Sequence, residues 1–288
     1  MTVGVLVMAH GTPARREDIA DFFTRIRRGS PPSPEEVAEL ERRYEVIGGL
    51  SPFAARTAAQ VDGVRAALGD DYVVRLGQKF AAPEISAAVD ELIDAGVSRI
   101  VGVVLAPHYA AASIGDYEAR AVDAVAGRVP IDVIHSWHDE PELIEMLAQR
   151  VREVWIDGGV LVVTAHNLPL AAVGDDTTYG DTLETTARLV ARAAGITNYR
   201  VAWQSAGKTG GRWLDPTLLD TVREESDNAT AVVVCPAGFT SEHLEIAYDL
   251  DIEAASLAAE LDVDFARTRS LDDDPQLCAL IARLVAAR

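Results

Sequence analysis

The chain has 288 residues, of which 49% are apolar and 25% charged, a mixture typical of globular proteins. Its formal net charge of −19 argues against nucleic acid or an anionic membrane as a partner, and no apolar run reaches the ~18 residues that cross a bilayer. The N-terminus has no basic region, so we expect no targeting segment and a cytoplasmic location. Two cysteines, Cys235 and Cys278, fit neither a disulfide framework nor a four-cysteine [2Fe–2S] site.

Short apolar runs alternate with amphipathic stretches along the whole chain. The amphipathic stretches 83–96 and 182–195 each end on glycine or just before one, as helix C-termini often do. The apolar runs predict strands at 3–8, 72–77, 99–105, 131–135, 159–164, 199–203, 231–235 and 262–266. This alternation predicts an α/β fold with parallel sheets covered on both faces.

Two phrases of the sequence occur twice. "GVLVMAHGTP" at 4–13 returns as "GVLVVTAHNLP" at 159–169, and both 100–118 and 231–249 run from strand through proline and loop into helix. The repetition predicts two similar Rossmann-like, doubly wound domains. We place them at 1–148 and 149–288, with extra material at about residues 20–60 in the first.

Both Ala-His pairs follow a strand directly. Ligands of open parallel sheets bind beyond the carboxyl ends of the strands. If the two domains face each other, His10, His166 and the helix that carries Glu245 should line one cleft, with the carboxylate opposite the histidine. His10 occupies in the first half the place that His166 has in the second, which favours a functional role for both over a structural one.

The extra material concentrates positive charge in an otherwise acidic protein. Arginine forks bind carboxylates through two hydrogen bonds, so this insert could hold a polycarboxylate ligand. The alternative is an ordinary solvated basic face. The arginines in question are Arg25, Arg27, Arg28, Arg42 and Arg43.

The stretch "SEHLEIAYDLDIE" places three carboxylates at i, i+4 and i+8 of a predicted helix, namely Glu245, Asp249 and Glu253. Each like-charge pair costs about 0.2–0.5 kcal/mol on an isolated helix. A series of oxygen ligands beside His243 suits a divalent cation in transit, whereas the alternative is a solvated helix face.

"WQSAGKTGG" ends like a phosphate-binding P-loop. That motif needs glycine at the position of Ala202, so we expect no P-loop here.

Taken together, these phrases resemble the ferrochelatase family, and most closely the coproporphyrin III ferrochelatases of Gram-positive bacteria. The resemblance runs almost end to end, through "GVLVMAHGTP", "FFTRIRRG", "RRYEVIGGLSPF", "IVGVVLAPHY", "TAHNLP", "AWQSAGKT" and "PAGFTSEHLEIAYDLDIE". It implies the class II chelatase architecture, in which two Rossmann-like domains face a central porphyrin cleft. It also implies a lyase that inserts Fe2+ into coproporphyrin III, giving coproheme for haem biosynthesis and releasing two protons.

The resemblance assigns roles residue by residue. His166 and Glu245 are implied to be catalytic, and the metal is implied to meet His166, Glu245, Asp249 and Glu253. The substrate-binding positions are implied to be His10, Arg27, Arg43, Tyr44, Ser51 and Tyr117. Which of His166 and Glu245 delivers the metal, and which accepts protons, stays open.

No cofactor is implied beyond the Fe2+ substrate, although the outer acidic site could hold Mg2+ or another divalent ion. The implied partners are coproporphyrin III and Fe2+, with no nucleic acid and no membrane, and the chain is expected to be a monomer.

His10 departs from the family pattern, because the coproporphyrin branch usually has tyrosine there. It keeps two alternatives open. One is a sirohydrochlorin or cobalt chelatase, since the small chelatases carry a metal-binding histidine in a similar "HGS" phrase. The other is a non-catalytic haem or porphyrin carrier that uses His10 as an axial ligand.

Overall fold

The computed structural model describes residues 2–207 and 211–288. These residues form two sheets of four parallel strands each. The first sheet contains β1 (Val3–Ala9), β2 (Tyr72–Gln78), β3 (Arg99–Val104) and β4 (Ile131–Ile134). The second contains β5 (Val160–His166), β6 (Tyr199–Gln204), β7 (Ala231–Cys235) and β8 (Asp264–Arg267). All eight predicted strands are confirmed.

Helices cover both faces of each sheet. They are α1 (Ile19–Ile26), α2 (Pro34–Val46), α3 (Phe53–Leu68), α4 (Ile85–Asp94), α5 (Asp116–Val125), α6 (Pro141–Val154), α7 (Leu170–Val173), α8 (Thr178–Ala194), α9 (Leu218–Glu225), α10 (Ala255–Glu260) and α11 (Pro275–Ala286). A short 3₁₀ turn spans Arg16–Asp18, and π-helical segments span Ala111–Gly115 and Ile246–Ala254. Among the described residues, no helix is both long and apolar enough to cross a membrane.

The two sheets have the same topology. Their strand orders are β2-β1-β3-β4 and β6-β5-β7-β8, so the first strand of each lobe lies between the next two in sequence. The predicted α/β fold with two similar doubly wound lobes is therefore confirmed. From β1 the chain continues to a strand on one side and then to strands on the other side, and the same holds for β5. At such a switch point an open parallel sheet forms a crevice for ligands. His10 follows β1 and His166 ends β5, so each lies at one of these crevices.

One buried cluster is shared by both lobes. It joins Val7 of β1 and Val163 of β5 through Leu147 of α6 and Ile281 of α11. Although α6 follows the first sheet, it packs against α8 of the second lobe, whereas the last helix, α11, packs against α3 of the first. The predicted boundary at 148/149 falls within α6, and we propose that the second domain begins with α6 and that α11 completes the first.

The insert of the first lobe supplies α1, α2 and the start of α3. Ser33 caps α2, because its side chain accepts the N–H of Glu36 while the Glu36 carboxylate accepts the N–H of Ser33. Pro34 occupies the first helical turn, where its missing N–H costs nothing. The local sequence thus fixes where α2 begins and where its arginines lie.

Because the core is shared, we expect Ile281→Ala to destabilise both lobes in a single transition. The side chain is fully buried, and such truncations cost about 2–5 kcal/mol. Urea unfolding followed by tryptophan fluorescence and circular dichroism should give coincident transitions, both shifted to lower urea. Val122→Ala, at a position that is 47% exposed on α5, is the matched control. Two separate transitions would contradict a shared core.

Candidate active site

His166 is fixed at the carboxyl end of β5. Its Nδ1–H donates to the carbonyl of Asn167 at 2.6 Å, and both ends of the Asn167 amide are bound to the backbone of Leu214. The hydroxyl of Tyr179 donates to the carbonyl of His166 at 2.9 Å. These bonds leave Nε2 of His166 facing Glu245, whose Oε1 lies 3.5 Å away.

Glu245 lies at the beginning of a helix that follows β7. The first residues of this helix are α-helical, and Ile246–Ala254 continue as a π-helix, in which each N–H bonds to the carbonyl five residues before it. The relative directions of Glu245, Asp249 and Glu253 therefore differ from those that the same spacing would give on an α-helix. Such π-helical segments are rare and occur frequently at functional sites.

His166 and Glu245 belong to the same lobe, since β5 and β7 are neighbouring strands. The expectation that Glu245 lies opposite His166 is wrong, because the two side chains stand next to each other. Gly238 permits this approach: a Cβ built there would lie 2.4 Å from the Cβ of Ala165. The N–H of Gly238 donates to the carbonyl of Thr164 at 2.9 Å, which draws the loop after β7 onto β5.

The two side chains form an ion pair, and each remains 41% exposed. Burial acts to lower the pKa of His166, but the charge and hydrogen bond of Glu245, with the Asn167 carbonyl, raise it to about 9. Burial acts to raise the pKa of Glu245, but His166, with help from His243 and His10, lowers it to about 2. At neutral pH the pair is an imidazolium and a carboxylate.

Asp249 differs from Glu245 in its pKa. Its carboxylate is buried, and burial together with the charges of Glu245 and Glu253 raises its pKa to about 7. The Ser205 hydroxyl donates to Oδ2 of Asp249 at 2.5 Å, and Ser205 itself has a φ of +64°, uncommon for a residue other than glycine. Asp249 can therefore exchange a proton near neutral pH.

His243 supports the Glu245 helix. Its Nδ1 accepts the N–H groups of Glu245 and Ile246 at 3.1 and 3.3 Å, which caps the start of the helix. Its ring packs edge-on against Phe239 and Phe53, and burial lowers its pKa to about 4. A neutral imidazole can serve as this acceptor, whereas a protonated one cannot.

Arg267, at the end of β8, joins the segment just before the Glu245 helix to a residue within it. Its guanidinium pairs with Glu242 at 3.0 Å and with Asp251 at 2.6 Å. Sequence reasoning missed Arg267, Ser205 and Tyr179. Ser205 lies within the family phrase "AWQSAGKT" and could have been found there, whereas Arg267 and Tyr179 act through contacts that no local pattern marks.

His10 is exposed at the end of β1. Its Nδ1–H donates to the Gly11 carbonyl at 3.1 Å, and its ring packs edge-on against Phe80. Gly11 is required for this turn, because its φ is +90° and a Cβ would lie 2.7 Å from the Cβ of Ala81. Partial desolvation of this exposed ring lowers the pKa of His10, even against the charge of Glu245, so the ring is neutral and its Nε2 can bind a proton or a metal.

The insert arginines bind glutamates in this structure. Arg27 pairs with Glu36 at 2.5 Å, Arg25 pairs with Glu84, and Arg43 pairs with Glu39. Arg42 also pairs with Glu39. The charge of the arginine-rich insert is thus neutralised in part by acidic neighbours, and its role in holding a polycarboxylate stays a prediction.

Arg42 and Arg43 also reach the second lobe. The Arg42 guanidinium donates to the Tyr248 hydroxyl at 2.6 Å, and that of Arg43 lies 4.5 Å from the centre of the Tyr248 ring. Tyr248 directly precedes Asp249, and the charge of Arg43 acts to lower the pKa of Asp249. Helix α2 therefore contacts the π-helix and brings Arg43 close to the acidic site.

The remaining predicted substrate positions lie in the first lobe. The Tyr44 ring is buried, and its hydroxyl is 3.5 Å from that of Thr12, just after His10. Ser51 accepts the N–H of Phe53 at the start of α3. Tyr117 is buried, and the Lys79 ammonium lies 4.9 Å from the centre of its ring. Four predicted site residues lie close enough to Glu245 for its charge to act on their pKa values: His10, Tyr44, His166 and Asp249. The described contacts of Arg27, Ser51 and Tyr117 are with residues outside this group.

Ala202 is a buried residue of β6, and Lys208 and Thr209 of the P-loop-like motif lie outside the described residues. Cys235 and Cys278 are buried and free. Within 2–207 and 211–288, no three His, Cys, Asp or Glu side chains are arranged to hold a metal ion. The metal positions therefore stay a prediction.

Comparison with known proteins decides the family. The ferrochelatase family model matches residues 2–288. The chain belongs to the ferrochelatase family. This ferrochelatase is 38% identical to the coproporphyrin III ferrochelatase of Anoxybacillus flavithermus, over 98% of this chain and 95% of that protein. It is 37% identical to that of Listeria innocua, over 98% and 97%. The family resemblance seen in the sequence is confirmed.

Solved structures confirm the fold. SirB from Bacillus subtilis, determined with Fe3+, matches this ferrochelatase with a TM-score of 0.68 and 13% identity, over 99% of this chain and 95% of that one. CbiX, described as the terminal enzyme of siroheme biosynthesis in denitrifying bacteria, matches with a TM-score of 0.57 and 17% identity, over 99% and 98%. The fold of two Rossmann-like lobes expected from the sequence is confirmed.

We expect Glu245→Gln to lower the pKa of His166 from about 9 to near or below its ordinary value of 6.5. The substitution removes the carboxylate that raises the pKa and leaves the burial that lowers it. An NMR titration of the histidine Cε1–H resonances measures the change. Glu253→Gln, further along the same π-helix, is the control and should leave that pKa near 9. An unchanged value in Glu245→Gln would mean that the ion pair does not form in solution.

We expect Asp249→Asn to raise the melting temperature at pH 8 but not at pH 4. The folded carboxyl has a pKa of about 7 and the unfolded one about 3.8. Between these values the folded protein binds the extra proton, so wild-type stability falls as the pH rises. Asparagine removes that loss. Scanning calorimetry at both pH values tests this, and a variant that is less stable at pH 8 would show that the charged carboxylate is stabilised.

Proposed function

We propose that this ferrochelatase inserts Fe2+ into coproporphyrin III, producing coproheme and two protons as a step of haem biosynthesis. The observation that carries the proposal is the His166–Glu245 pair, 3.5 Å apart and open to the cleft. One imidazole and one carboxylate at the same point supply both a proton acceptor and a metal ligand.

The charge state of the pair suggests an order of events. Glu245 is an anion, so it is the first of the two groups able to attract Fe2+ or to accept a pyrrole proton. His166 holds a proton and must release it before it can act as a base or a ligand. The positive charge of arriving Fe2+ favours that release. Asp249, with a pKa of about 7, is suited to pass protons onward.

The substrate is proposed from its charge. Coproporphyrin III carries four propionates, and a group of arginines lies in the insert of the first lobe. Arg27 and Arg43 lie in the insert, and Lys79, the residue after β2, pairs with Asp116 at 2.5 Å. Propionates can replace these internal carboxylates as partners. The curated relatives with 34–38% identity share this substrate in their names.

The enzyme is proposed to act as a monomer, because both lobes of the cleft come from one chain. Asp249 and Glu253 are proposed as the outer positions for Fe2+ on its way to Glu245, or for Mg2+ or another divalent ion.

One observation favours the alternatives. The neutral and exposed His10 has its Nε2 free for a metal, as a sirohydrochlorin or cobalt chelatase or a porphyrin carrier would need. A carrier has no need of the ion pair at His166, and it would bind metallated porphyrin without turnover.

An anaerobic assay separates these functions. Fe2+ and Co2+ are each offered with coproporphyrin III, protoporphyrin IX and sirohydrochlorin, and metallation is followed by absorbance. We expect the highest kcat/KM with Fe2+ and coproporphyrin III. A preference for sirohydrochlorin, or tight binding of coproheme with no turnover, would overturn the proposal.

We expect His166→Ala and Glu245→Gln each to abolish metallation while leaving porphyrin affinity largely intact. Both side chains are proposed to act on the reacting nitrogens and metal rather than on the propionates. Fluorescence quenching measures porphyrin binding, and absorbance measures turnover. His135→Ala is the matched control, because His135 is exposed and its described contacts are with Glu118 and the Tyr109 ring, neither of which is a proposed site residue. Normal turnover in either site variant would contradict the roles.

A further inference from the structure

Gln60 is a fully buried side chain that links the two lobes. It lies on α3 of the first lobe, at the end of the insert. Its Nε2–H₂ group donates to the carbonyls of Thr240 and Asp272 at 3.2 and 2.9 Å. Its Oε1 accepts the hydroxyl hydrogen of Ser241 at 2.8 Å. All three partners belong to the second lobe.

The amide can bind in only one orientation. With nitrogen and oxygen exchanged, an oxygen would face two carbonyl oxygens and lose both hydrogen bonds. A buried carbonyl without a donor is costly, so the loops of Thr240 and Asp272 are held to this one amide. Gln60 therefore fixes the position of two loops rather than filling space.

Those loops lead directly to Glu245. Thr240 and Ser241 precede His243, whose Nδ1 accepts the N–H of Glu245. Asp272 continues the connection, since its carboxylate accepts the N–H of Glu242 at 2.9 Å. The side chain of Gln60 thus holds the two loops from which the helix of Glu245 is positioned.

Other residues of α3 strengthen the same contact. Phe53, two turns before Gln60, packs edge-on against His243 with ring centres 5.7 Å apart. Arg56 pairs with Asp272 at 3.5 Å. One face of α3 therefore docks on the segment that begins the Glu245 helix, while the N-terminal end of α3 joins the insert proposed to bind the porphyrin.

We propose that Gln60 is a positioning residue for metallation, which sets the place of Glu245 beside His166 from the opposite lobe. The inference rests on the proposed function of the His166–Glu245 pair. Gln60 acts through Ser241, Thr240 and His243, and it does not touch the substrate. Its loss should lower turnover more than porphyrin binding, because the groups proposed to bind propionates lie on other elements.

The test is Gln60→Met, which keeps the volume of the side chain and removes all three hydrogen bonds. We expect kcat for coproporphyrin III and Fe2+ to fall about 10- to 100-fold, the loss that a misplaced catalytic group causes. The porphyrin Kd should change less than about twofold. Thr57→Val is the matched control: Thr57 is fully buried one turn earlier on α3, and its hydroxyl has no hydrogen-bond partner among the described residues.

A purely structural role would give a different result. It would lower the melting temperature of Gln60→Met while leaving kcat per folded molecule at the wild-type value, and that outcome overturns the proposal. If Gln60→Met does not fold, Ser241→Ala removes a single bond, and we expect kcat to fall about 3- to 10-fold at unchanged porphyrin Kd, in line with one lost hydrogen bond. Unchanged kcat in Ser241→Ala overturns the proposal in that case.

The wild-type protein in the same assay keeps the two questions apart. If wild type does not metallate coproporphyrin III, the proposed function fails. If wild type does so and Gln60→Met matches it, only the positioning role fails.

Discussion

The pairing of His166 with Glu245 is the interaction on which the rest of the site depends. It joins residues at the carboxyl ends of two neighbouring strands. It also raises the pKa of His166 and lowers that of Glu245, so that both groups are charged at neutral pH. Each side chain is 41% exposed, and the charge of each partner keeps the other ionised against partial desolvation. The consequence is a carboxylate that is ready to meet a cation and an imidazolium that can release a proton when that cation arrives. Asp249, one turn further, completes a series of three groups with well-separated pKa values.

The fold holds this pair from several directions. Asn167 and Tyr179 fix His166 from its own lobe, while the Glu245 helix is capped by His243 and tied by Arg267. The first lobe contributes at two separate places. Its α2 reaches Tyr248 through two arginines, and its α3 is docked on the segment before Glu245. Residues of α6 and α11 also belong to one core shared by both lobes. The two lobes therefore pack directly against each other rather than being joined only by a linker.

Much of the fold could be predicted from the sequence, because short β-branched runs such as "VGVLVMA" have little alternative to a buried strand. The repeated Ala-His phrase also predicted two equivalent lobes and placed both histidines at the crevices. The helix type at Ile246–Ala254 could not be predicted, because apolar and acidic spacing does not distinguish i→i+4 from i→i+5 bonding. The side-by-side position of His166 and Glu245 depends on the order of β5 and β7 in the sheet. The roles of Gln60, Tyr248 and Arg267 depend on contacts between distant parts of the chain, which a single sequence does not display.

The most direct test of the central claim is a crystal structure of the complex with coproporphyrin III. The predicted result has the macrocycle in the cleft with the His166–Glu245 pair facing its nitrogen atoms on one side, His10 on the other, and propionates at Arg27 and Arg43. A macrocycle bound with neither His166 nor Glu245 facing its nitrogens would contradict the assignment of this pair as the metallation centre.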